Sequence, residues 1–111
     1  PVIQRFAAMG VDVLNPIEPP PMGDITMEEA FATVGDSMGL EGNIETHDFM
    51  VTDTADLTAK IHATLDAGRG KRLILCPSSG YMENVEPSAQ EIENWLLYID
   101  EGVRYAETMA N

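Results

Sequence analysis

Three strand-like runs, Val11–Leu14, Leu40–Glu45 and Arg72–Cys76, begin about 30 residues apart, and each is followed by a loop and a helical pattern. Strands that alternate with helices at this spacing pair in parallel, because a parallel partner needs a long crossover whereas an antiparallel one needs only a tight turn. Such crossovers are right-handed. The chain therefore reads as α/β, and two architectures accept it: an open doubly wound sheet, or an arc of a (βα)8 barrel. Three strands alone leave two unpaired edges. A partner is thus expected, either in a homo-oligomer or as the missing N-terminal half of a barrel.

Local signals place the elements between and around these runs. Residues Val2–Met9 look like the last turns of a helix stopped by Gly10. After Val11–Leu14, the stretch Asn15–Asp24 holds four prolines between Pro16 and Pro21, which predicts a stiff loop. Thr26-Met27-Glu28-Glu29 has the form of a capping box, in which hydroxyl and carboxylate reciprocally satisfy orphan amides. Met27, Ala30, Phe31 and Val34 then recur at helical spacing. Gly42 weakens the second strand run. Asp53 and Asp56 mark another helix start, followed by Leu57, Ile61 and Leu65, with Gly68 at the end. Leu73–Cys76 is a continuous apolar run of the kind buried on both faces. A second capping-box pattern, Ser88 to Glu91, opens a helix whose Ile92, Trp95, Leu96, Ile99 and Val103 form an apolar stripe.

Charge narrows the class of partner. Six basic against nineteen acidic residues give a net charge of −13, spread along the chain. Such a surface repels phosphate backbones and anionic lipid, so no nucleic acid and no membrane are expected as partners. The apolar runs are only a few residues long, against the ~20 that a membrane span needs. The chain starts at Pro1 and contains a single cysteine, Cys76. We read a soluble, cytoplasmic protein in a reducing compartment, forming one segment over 1–111 and preceded by further chain.

The loops carry a resemblance. Asn15–Asp24 (NPIEPPPMGD), Gly42-Asn43-Ile44-Glu45 and Leu73–Tyr81 (LILCPSSGY) resemble, in order and spacing, the C-terminal third of the uroporphyrinogen decarboxylase superfamily. The resemblance covers nearly all of the chain and implies a (βα)8 barrel, with these residues forming strands six to eight. It implies one of two activities. One is metal-free decarboxylation of tetrapyrrole acetate side chains, a lyase reaction of porphyrin biosynthesis. The other is zinc-dependent methyl transfer between corrinoid proteins and thiols. Where the decarboxylases carry a histidine and the methyltransferases a ligand cysteine, this chain has Ser79, followed by Gly80. Cys76 lies three residues earlier and is not the matching cysteine. Zinc is expected only on the methyltransferase reading, and no metal ligand is assigned here. A third possibility is a non-catalytic α/β binding module. The segment alone is expected to be inactive, since about 200 residues of a normal barrel would precede it.

Barrel enzymes place their chemistry in the loops after the strands. That rule selects Asn15 and Glu18, then Asn43, Glu45 and His47, then Ser78, Ser79, Gly80 and Tyr81. Glu18, held among prolines, is a candidate acid or base, or else a surface residue of a rigid loop. Asn43 can orient a carboxylate or bond its own loop. His47, beside Glu45 and Asp48, can donate to an anionic substrate, or merely belong to a loop leading into a helix. Ser78-Ser79-Gly80 can cradle a carboxylate or phosphate, or simply form a tight turn. No base stands near either serine in sequence, which argues against nucleophilic catalysis; on the decarboxylase branch the resemblance implies that Ser79 is a substrate-orienting hydroxyl and not the acid. His62, Cys76 and Trp95 are read as structural, His62 as exposed and the other two as core.

Overall fold

The computed structural model describes residues 2–80 and 86–110. The elements run α1 (Val2–Ala8), β1 (Val13–Ile17), α2 (Met27–Val34), β2 (Gly39–Ile44), α3 (Thr46–Val51), α4 (Thr54–Ala67), β3 (Leu73–Pro77) and α5 (Ala89–Met109). The three strands form one all-parallel sheet in the order β1-β2-β3. No helix among the described residues is long and apolar enough to cross a membrane.

Capping decides where the helices start. Thr26 caps α2 with both halves of the box present, Asp53 accepts the Asp56 amide to open α4, and Ser88 accepts that of Glu91 to open α5. The short α3 has no such signal in its own N-cap residue, Glu45.

Pleating divides the sheet into two different faces. Register aligns Leu14 with Leu40 and Leu40 with Leu73, and this row faces the helices. Around it, Ile3, Met27, Ala30, Phe31, Val34 and Met38 form one core, while Ile44, Phe49, Leu57, Ile61 and Leu65 form another that also takes in Leu75. Each fully buried Leu, Ile or Phe contributes about 1.5–3 kcal/mol. The alternate residues point to the other face, where Glu41 aligns with Ile74 and Asn15 reaches across to Glu41 and Cys76. No described helix covers that side, and Val13 and Ile74 stand exposed on it.

Four local expectations need correction. The stiff loop begins later than its prolines suggest, because β1 continues through Asn15 and Pro16 to Ile17. Proline is tolerated there since β1 is a sheet edge and needs no amide on its open side. The run Leu73–Cys76 is not buried on both faces, because β3 forms the other edge and Ile74 is 53% exposed. Thr46–Val51 is a helix of its own, where the sequence suggested a loop.

The largest correction concerns α5. Its apolar stripe is turned outward: Ile92, Leu96, Ile99 and Val103 are each about half exposed, whereas Glu91, Asn94 and Gly102 are buried. Two contacts set this rotation. Asn94 donates to Phe49 O at 3.0 Å and to Thr52 O at 2.7 Å, tying α5 to the end of α3. At Gly102 the helix comes so near β3 that a Cβ would lie 3.1 Å from Leu75 Cδ2. Trp95, at the margin of the stripe, stacks on Phe49 with ring centroids 3.9 Å apart.

Candidate functional site

Parallel pairing brings the C-terminal ends of β1, β2 and β3 to one rim, and the aligned ends Ile44 and Pro77 bring the following loops together. Continuing that alignment sets Glu45 and Thr46 beside Ser78 and Ser79. The Ser78 amide donates to Ile44 O at 2.8 Å, extending the ladder by one bond. Thr46 then binds the turn closely: its amide donates to Ser78 Oγ at 3.0 Å, and its hydroxyl lies 3.2 Å from Ser78 Oγ and 2.9 Å from Ser79 Oγ. Ser78 therefore supplies the cap that Glu45 does not give to α3.

Other predicted residues occupy different surroundings. Glu18 is half-buried just after β1, and its loop closes so tightly that a Cβ on Gly23 would fall 2.1 Å from Glu18 O. Asn15 lies within β1 and donates to Glu41 Oε2 at 2.7 Å, so it serves the uncovered sheet face and not a loop tip. Asn43 turns toward α4, where its Oδ1 accepts the Thr64 hydroxyl at 2.9 Å. His47 is exposed in the first turn of α3. Gly80 is exposed with open space at its Cβ position, and Tyr81 lies outside the described residues.

Two hollows among the described residues bear on the site, one at the rim and one away from it. A cleft of about 190 Å³ is lined by Pro19, Pro20, Asn43, Glu45, Asp48, Lys60, Ala63 and Thr64. Lys60 and Asp48 pair across it at 2.7 Å, which balances the one nearly buried carboxylate there. A larger groove, about 380 Å³, runs between β3 and α5, but its lining of leucines, Ile99, Val103, Ala106, Gly102 and Tyr98 holds no carboxylate, imidazole or thiol. Burial raises the Tyr98 phenol above its ordinary value, and that phenol donates to Leu75 O. The polar chemistry thus belongs to the strand ends.

A second polar cluster lies away from them, on the outer seam of α4 and α5. Here His62 is not a free surface side chain: its ring stacks on Tyr105 at 3.8 Å, and Nε2 meets Glu101. Hydrogen bonds from Arg104, then from His62, hold the Glu101 carboxyl down to about 2. The Tyr105 hydroxyl donates to Asp66, which raises the phenol, and Asp66 is lowered chiefly by Arg69. These pairs fasten two helices.

Sequence reasoning missed Thr46 and Glu41. Nothing local marks either one; register alone sets Thr46 against the Ser78–Ser79 turn and Glu41 beside Asn15. The three hydroxyls of Thr46, Ser78 and Ser79 can donate to an anionic oxygen. Among the described residues, no histidine or carboxylate is hydrogen-bonded to any of them, so the arrangement suits binding and not nucleophilic attack. Neither a family model nor a curated protein matches this chain.

Proposed function

We propose that this chain forms strands six to eight of a uroporphyrinogen decarboxylase-like (βα)8 barrel, and that its rim holds a carboxylate of a tetrapyrrole substrate. The observation that carries the barrel reading is the one-sided sheet. Strand order β1-β2-β3 runs without reversal, and α2, α4 and α5 meet the same face through Leu14, Leu40, Leu73 and Leu75. A doubly wound sheet reverses its strand order and carries helices on both faces. In a barrel the uncovered face, with Asn15, Glu41 and Cys76, turns inward, and both open edges are paired by further strands.

At the rim, Ser79 donates a hydrogen bond to a substrate acetate. The acetate carbon loses CO2 and gains a proton, giving a methyl group, once the adjacent pyrrole has been protonated and can accept the electron pair. Positioning dominates such a reaction, because the protein must hold carboxylates and exclude other geometries. The methyltransferase reading ranks second: Ser79 stands at the ligand cysteine's place, and zinc sites are built from thiolate, imidazole or carboxylate.

The test is turnover of an acetate-bearing porphyrinogen by the full-length protein, followed as CO2 release. Ser79→Ala is expected to lower kcat/KM about 10- to 100-fold, the worth of one hydrogen bond to a charged group. Absence of porphyrinogen turnover, together with stoichiometric zinc and methyl transfer to a thiol, would overturn the assignment.

A further inference from the structure

The hydroxyl cluster at the rim has a proton count that its geometry closes. Thr46 Oγ1 accepts the Ser79 amide at 2.9 Å and lies 3.1 Å from Ser79 O, besides its contacts to both serine hydroxyls. A hydroxyl has one proton and two lone pairs. The Ser79 amide occupies one lone pair of Thr46, which leaves a single acceptor position for two serine protons. At least one serine proton therefore has no acceptor among the described residues of the turn.

Burial decides which one. Ser78 is half-buried and Ser79 is exposed. An unsatisfied donor costs more inside than at the surface. Ser78 accordingly donates to Thr46, the single Thr46 proton takes the shorter of its two contacts, Ser79 Oγ at 2.9 Å over Ser79 O at 3.1 Å, and the Ser79 proton is left without an acceptor among the described residues. Ser78 Oγ also accepts the Thr46 amide at 3.0 Å, which anchors the start of the chain. Hydroxyls linked in series polarise one another, so the last proton becomes the better donor.

We propose that Thr46 is a positioning residue, ordering the Ser78 and Ser79 hydroxyls into a one-way chain that presents the Ser79 proton to a carboxylate oxygen of the substrate. This rests on the barrel-mouth reading, and it adds a residue to which that reading gives no role.

Thr46→Val keeps the shape and removes the hydroxyl, while Thr46→Ser keeps the hydroxyl. Both are compared with Ser79→Ala and with the double variant, measuring kcat and KM for the acetate-bearing porphyrinogen in the full-length protein. Thr46→Val is expected to raise KM about 3- to 10-fold, as for one hydrogen bond. Thr46→Ser is expected to stay within about twofold of wild type, and Thr46→Val to add nothing once Ser79 is alanine. A merely structural tie between the two loops predicts instead effects that add. Unchanged KM in Thr46→Val beside a raised KM in Ser79→Ala, or additive effects, would overturn the role of Thr46 alone. No effect of Ser79→Ala, or no turnover by wild type, would overturn the barrel-mouth reading and this inference with it.

Discussion

Asn94 sits in the N-terminal third of α5 with none of its surface exposed, and its amide is the clearest place to test how that helix is docked. Its Nδ2 spends one proton on Phe49 O at 3.0 Å and the other on Thr52 O at 2.7 Å, carbonyls at the end of α3 that have no partner in their own helix. In Asn94→Ala the buried Phe49 carbonyl loses its donor, at about 1–3 kcal/mol, and the partly exposed Thr52 carbonyl costs about 0.5–1.5 kcal/mol more. With an m-value of about 1.5–2 kcal/mol per molar urea, the unfolding midpoint should fall by about 1–3 M. Trp95, the single tryptophan, stacks on Phe49 beside this joint and reports the transition by fluorescence. Asn94→Asp should be worse than alanine at neutral pH, because it sets carboxylate oxygens against two carbonyls. It should recover as acid protonates the carboxyl and restores a donor. An alanine variant within about 0.5 kcal/mol of wild type would show that these bonds do not hold α5 in place.

Three further outcomes are expected. Glu101 is depressed from 4.5 to about 2 by Arg104 and His62. Its folded value lies below its unfolded one, so its contribution is present above the ordinary range and lost as pH falls through that interval. Urea midpoints measured across this acid range should decline more steeply in wild type than in Glu101→Gln, and parallel curves would contradict the pairing. On the outer face of α5, Leu96→Glu and Ile99→Glu should change unfolding free energy by less than about 0.5 kcal/mol and reduce self-association in sedimentation experiments, since both side chains are more than half exposed. Leu57→Ala, fully buried, should cost about 2–5 kcal/mol, and a comparable loss in either glutamate variant would mean the stripe is packed.

Much of the fold was legible because its causes are local. The Thr26 box, the Asp53 cap and the Ser88 cap each act within three residues, and each helix begins where they predict. The parallel sheet follows from the spacing of three apolar runs. What went astray depended on neighbours. Pro16 reads as loop because nothing in the sequence tells an edge strand from a central one. The α3 helix escaped notice because its cap, Ser78, lies 32 residues away. Of the candidate site, Ser78 and Ser79 do meet the β2 loop, whereas Asn43 is engaged by Thr64 and Asn15 by Glu41.

The sequence by itself determined that helices and parallel strands alternate, since periodicity and capping are properties of short segments. It also determined which residue types lie just beyond each strand. Only the tertiary structure decided which side of α5 faces inward, because an apolar stripe states a preference for burial without naming a partner. Asn94 and Gly102 found theirs in α3 and β3, and the helix turned to suit them. The same holds for Thr46, whose hydroxyl acquired a role only when strand register carried it to Ser78 and Ser79.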